Sequence, residues 1–116
     1  MSPQRHPRSI SAERKFAKVA EAFSKDRAVE VGGGKGFGSG ALKIRGKIFA
    51  MLSSQQRFVV KLSKKRVHEL VTAGAGIRFE PRPGKPMNEW LVVKADRQDW
   101  IDLAKEAYEF VRRAKP

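Results

Sequence analysis

Cysteine is absent from this chain of 116 residues, tyrosine occurs once, and twelve Asp and Glu face twenty-five Lys and Arg. Without cysteine there is no disulfide framework, no thiolate nucleophile and no Cys-ligated metal. The longest apolar run, Ile48 to Leu52, is far too short to cross a bilayer as a helix. The opening Met1-Ser2-Pro3-Gln4-Arg5-His6-Pro7-Arg8 lacks the apolar segment of a secretory signal. These absences set the expectation of a cytoplasmic protein that stays off the membrane. The two histidines, His6 and His68, stand far apart in sequence with no ligand cluster around them. No metal site and no cofactor is expected.

The shortage of acid is uneven. Residues 27–85 hold thirteen Lys and Arg against Glu30, Glu69 and Glu80, whereas residues 96–116 balance at five of each sign. Most of the net charge of +13 therefore sits in the middle of the chain. Such a region carries a positive potential that attracts polyanions. It fixes the sign of a partner and says nothing of a reaction.

With 41% of its residues hydrophobic, the chain can bury a modest single core. Residues 1–10 read as a flexible basic tail, and residues 11–116 as one domain. A helix follows the tail, with Ser9 or Ser11 as N-cap and Phe16, Val19, Ala20 and Phe23 on one buried stripe. A short strand fits Ala28 to Val31. Then comes the run Gly32 to Gly40, six of whose nine residues are glycine. Three strands are expected at Ala41–Arg45, Lys47–Leu52 and Arg57–Leu62. Leu42 and Ile44 alternate with Lys43 and Arg45, and Phe58, Val60 and Leu62 with Arg57 and Lys61. Gly46-Lys47 reads as a tight turn, and the meander as having one wet, basic face. A second helix runs from N-cap Ser63 to about Ala73, with Gly74 ending it. Residues 74–86, with three Pro and three Gly, read as an irregular connection. Glu89–Lys94 is a strand, and a last helix follows Asp96, which with Asp99 resembles a capping box. The order α-β-β-β-β-α-β-α gives an α+β domain, a single antiparallel sheet with helices packed on one face.

The glycine run does not match a Walker loop, which needs Gly, four residues, then Gly-Lys-Ser/Thr, nor does it fit Gly-x-Gly-x-x-Gly. It is either a connector at a hairpin tip or a loop whose amides, with Lys35, approach a phosphate. Ser53, Ser54 and Ser63 show no nucleophile-elbow spacing. Glu30 and Glu89 lie in or beside apolar strands, as acid/base groups or as strand-edge carboxylates paired with cations. No catalytic set emerges, so the chain is not expected to be an enzyme. An RNA-type stacking platform would need exposed aromatics, and Phe37 is the obvious one. Phe49, Phe58 and Trp90 read as core.

The cations form a set because they recur across neighbouring elements. Lys43, Arg45, Lys47, Arg57 and Lys61 come from adjacent strands, and Lys64, Lys65 and Arg66 follow directly. Gathered on one rim, they would contact phosphates without reading sequence. Lys35 would support them. The alternative is solvated surface charge.

The segment Ser39-Gly40-Ala41-Leu42-Lys43-Ile44-Arg45-Gly46-Lys47-Ile48-Phe49-Ala50-Met51-Leu52 resembles the MmcQ/YjbR-like family of small bacterial proteins. Arg57–Leu62 with Ser63-Lys64-Lys65-Arg66, and Gly84-Lys85-Pro86-Met87-Asn88-Glu89-Trp90-Leu91-Val92-Val93, are similar to later segments of that family. The amino-terminal domain of TfoX-type regulators looks related over the first turn and strand. The resemblance spans roughly residues 12–114 and implies a frataxin-like fold, with DNA binding by some relatives and no catalytic residue set. The expected function is a non-enzymatic module for nucleic acid, DNA above all. The competing readings are an adaptor for an acidic protein and a small-ligand enzyme near the glycine loop and Glu89-Trp90.

Overall fold

The computed structural model describes residues 7–33, 40–53, 55–97 and 99–114. Its elements run α1 (Pro7–Ala22), β1 (Val29–Gly33), β2 (Gly40–Ile44), β3 (Lys47–Leu52), β4 (Phe58–Lys61), α2 (Lys64–Thr72), β5 (Gly76–Arg82), β6 (Lys85–Val93) and α3 (Trp100–Arg113). The strands make one antiparallel sheet in the order β1-β2-β3-β4-β6-β5. Phe16 and Val19 of α1, Val67 and Leu70 of α2, and Trp100, Leu103, Ala107 and Val111 of α3 share one core with Leu42, Ala50, Phe58, Val60, Leu91 and Val93 of the sheet. The fold is α+β with all three helices on one face. Its arrangement is broadly consistent with a frataxin-like order, with one strand added.

That strand, β5, falls where an irregular connection was expected. The prolines permit it because of where they stand. Pro81 lies on an edge strand, where a missing N–H disturbs no central ladder. Pro83-Gly84 forms the hairpin turn, with Gly84 at φ +79°. Pro86 belongs to the half of β6 that extends past β4, since β4 pairs only with Trp90–Val93. Gly76 is required for another reason: a Cβ there would run into the Val92 carbonyl oxygen.

Local chemistry sets the other boundaries. α1 begins at Pro7, within the expected tail and ahead of both serines expected to cap it, as suits a proline at the first helical position. The Ser63 hydroxyl accepts from the Arg66 N–H at 3.1 Å and starts α2. Gly74 N–H to Val71 C=O and Ala75 N–H to Leu70 C=O, with Gly74 at φ +79°, end it as a Schellman motif. Asp99, not Asp96, is the N-cap of α3, and no side-chain capping bond forms. Its carboxylate is taken by the Arg97 guanidinium instead, at 2.9 and 2.7 Å. That contact holds the Asp99 carboxyl below its ordinary range.

The β2–β3 turn centres on Arg45-Gly46, one residue earlier than expected. Both have positive φ, 55° and 78°, the requirement of a two-residue turn that matches strand twist. Near it Leu42 faces Ala50 while Lys43 faces Ile48, so Phe49 is an extra residue in β3. This bulge turns Phe49 into the core, where its ring centroid lies 5.2 Å from Phe23 and 5.5 Å from Tyr108. Tyr108 donates its hydroxyl to Asp26 at 2.8 Å, tying α3 to the loop after α1.

Two predictions arise here. The Asp26 carboxylate raises the Tyr108 pKa. The phenol's contribution to stability is thus complete below about pH 10 and lost as pH rises through the higher folded value. Because Tyr108 is the sole tyrosine, a tyrosinate absorbance titration should have its midpoint above about 10, and Asp26→Asn should bring it down. An unmoved midpoint in the variant would break the assignment. The second concerns Gln56, at φ 65° in the β3–β4 turn, with its Oε1 buried and without a hydrogen-bond partner among the described residues. Gln56→Gly should stabilise by about 1 kcal/mol, seen as a higher denaturant midpoint. A lower midpoint would mean that the side chain's packing outweighs its backbone strain.

Candidate nucleic-acid interface

Because Leu42, Ile44, Val60 and Leu62 point into the core, the intervening Lys43 and Lys61 belong to the face that carries no helix. Lys43 is half-buried, its Cε 3.8 Å from where a Cβ of Gly32 would stand, so the glycine leaves room for the lysine stem. Arg45 and Lys47 are exposed on either side of Gly46. Lys64 and Lys65 are exposed on the first turn of α2, just beyond the end of β4. Lys43, Arg45, Lys47, Lys61, Lys64 and Lys65 are thereby collected at one end of the sheet.

Two expected members stand apart. Arg57 precedes β4 at the opposite end of the ladder, since Leu52 pairs with Phe58 whereas the Arg45-Gly46 turn opens β3. Six residues of strand put it about 20 Å from that turn. Arg66 is taken up internally: its Nε meets Glu106 at 2.7 Å and its guanidinium meets Glu69 at 3.3 Å. These carboxylates raise its pKa further, and the pair braces α2 against α3. Lys35 lies outside the described residues, as do His6 and Phe37.

The free cations differ from the paired ones. The ion pairs found engage Lys61, Arg66, Arg97, Arg112 and Arg113. Among the described residues none of Lys43, Arg45, Lys47, Arg57, Lys64 or Lys65 has a carboxylate within salt-bridge reach. Lys64 and Lys65 also oppose the α2 dipole, and Ser63 alone caps that end with its side chain.

The helix-free face is less wet than expected. Val59 and Val92 on it are buried, and Ile77, opposite Val92, is 56% exposed. Trp90 pairs with Lys61 across β4 and β6, which removes it from the core to this face. The Lys61 ammonium sits 5.2 Å from the Trp90 ring centroid and 3.8 Å from Glu89. Glu89 is therefore the ion-paired carboxylate of the two readings open from sequence, while Glu30 lies exposed opposite Lys43 in the β1–β2 register. A cleft of about 710 Å³ opens at this end of the sheet, lined by Lys47, Met51, Lys61, Phe79, Met87, Glu89 and Trp90 and closed from the helix side by Phe110 and Val111 of α3 and by Ala114, which caps that helix. Trp90 was expected in the core, or with Glu89 at a small-ligand pocket, whereas nothing in the sequence pointed to Phe79, or to Arg82 and Lys85, exposed on either side of the β5–β6 turn.

No group of three His, Asp or Glu among the described residues could hold a metal ion. No described helix is long and apolar enough to cross a membrane. Comparison of the chain with protein-family models, curated proteins and solved structures finds no match.

Proposed function

We propose that this protein is a non-enzymatic module that binds nucleic acid through its phosphates, without strong sequence selectivity. The observation that carries this reading is the set of cations at one end of the sheet that have no carboxylate partner among the described residues: Lys43, Arg45, Lys47, Lys64 and Lys65. Of the acids near this group, Glu69 and Glu89 are already committed to Arg66 and Lys61, and Glu30, opposite Lys43 in the register, makes no ion pair with it. Phosphate oxygens are the natural complement to such a group, and their contacts position a polyanion without reading bases. The MmcQ/YjbR-like resemblance over residues 39–52 and 84–93 points the same way.

Anisotropy of a labelled duplex of about 20 base pairs, titrated between about 50 and 200 mM salt, tests the reading. Binding should weaken with a log–log slope of about −3 to −5, at roughly 0.9 per phosphate neutralised. Absence of binding at the lowest salt would defeat it and leave an acidic protein surface as the partner.

A further inference from the structure

We infer that the cleft beside these cations takes an unpaired base, so that the nucleic acid bound most tightly is single-stranded. The inference rests on the phosphate reading and adds a base-binding element to it. Trp90, on the sheet face opposite the core, lines the cleft together with Phe79 and Met87, while Phe110 and Val111 of α3 close it from the helix side. Its indole is held in place on one side by the Lys61 ammonium, 5.2 Å from the ring centroid, and Glu89 fixes that ammonium at 3.8 Å. An aromatic ring braced this way loses little freedom when a base stacks on it.

The cations say what kind of stacking partner fits. Lys47 lines the same cleft, and Arg45, Lys43 and Lys64 stand at the same end of the sheet without carboxylate partners among the described residues. A neutral apolar peptide would leave that charge unanswered. A nucleotide strand supplies a flat π-face for the ring and a phosphate on each side of it for the cations. The cleft, at about 710 Å³, lies in the size range of ligand-binding clefts and can admit a splayed base. In a duplex the bases are stacked on one another and their faces are not available to Trp90. Only the phosphates would then be used.

The test compares three probes at one salt concentration: a thymidine 12-mer, an abasic strand of the same length and charge, and a duplex. The thymidine strand should bind at least about fivefold tighter than the abasic one, the effect of one stacked base. Binding should quench tryptophan fluorescence, and Trp90→Phe should abolish that quenching while keeping most of the affinity, because Trp100 is buried at 2% exposure. Trp90→Leu, which keeps apolar bulk without a π-face, should lose the preference for thymidine and leave abasic binding unchanged. Equal affinity of the wild type for thymidine and abasic strands overturns the inference and leaves the phosphate reading standing. An equal loss toward both strands in Trp90→Leu also overturns it. Failure of all three probes to bind overturns the phosphate reading and the inference together.

Discussion

Trp100→Ala is expected to remove about 3–5 kcal/mol of folding stability, a large part of the roughly 5–15 kcal/mol of an ordinary domain. The indole is 2% exposed and stacks on Phe58 with centroids 4.4 Å apart and planes 15° from parallel. Its Nε1–H donates to the Lys94 carbonyl at 3.2 Å, so the ring also fixes the loop between β6 and α3. On its other side the Lys15 ammonium stands 4.3 Å from the ring centroid and donates to the Ala95 and Arg97 carbonyls, both at 2.6 Å. Burial lowers the Lys15 pKa despite the pull of Asp96 and Asp99. Truncating the ring would open a cavity between α1, α3 and β4 and strip this ammonium of its aromatic support. Denaturant unfolding should show a much lower midpoint with a similar slope. A loss under about 1 kcal/mol would mean that α3 does not depend on this ring to dock.

The importance of Trp100 was legible in the sequence, and the reason shows what sequence can carry. Trp100, Leu103, Ala104, Ala107 and Val111 recur at helical spacing, and all five are buried. The same logic placed Phe16, Val19 and Phe23 in the core. Periodicity works here because a helix has one buried face whatever it packs on. Where position in the sheet decides, the sequence was less informative. Pro81 argues against a strand only if that strand is central, and its edge location becomes visible once the strand order is known. Trp90 sits in an apolar run, Trp90-Leu91-Val92-Val93, that gives no alternation to say which face holds the indole. Phe49 breaks the β3 alternation because of a bulge that no turn residue announces.

The candidate site was legible as a composition and less so as a geometry. The strand alternation correctly put Lys43 and Lys61 on the face opposite the core. It could not separate Arg57 from Arg45, because residues close in sequence occupy opposite ends of an antiparallel pair. Nor could it foresee the Arg66 bond to Glu106, made across forty residues of chain. Local sequence shows which cations exist. Tertiary contacts decide which of them are already satisfied.

That distinction predicts how charge removal should act on binding. Lys43→Ser, Arg45→Asn and Lys47→Ser, combined, should weaken duplex binding by about 100-fold near 0.1 M salt, since up to three phosphates would no longer be neutralised. Asparagine is chosen at position 45 because φ there is 55°, a backbone region it tolerates better than serine does. Lys61 is left in place because it braces Trp90 and Glu89, so its removal would mix charge with local packing. The salt slope should become shallower by about 0.9 for each phosphate left without its cation, and two duplexes of unrelated sequence should weaken equally. Arg57→Ser, with the same charge change per residue but at the far end of the ladder, should alter affinity by less than about twofold, which is the scale of a screened charge beyond the Debye length. If Arg57→Ser matches the triple variant per charge removed, binding follows net charge alone and the sheet end is not the interface. If the triple variant binds like the wild type with its slope intact, the phosphates lie on another face. A loss confined to the sheet-end cations would instead tie affinity to the groups that the fold leaves without a carboxylate.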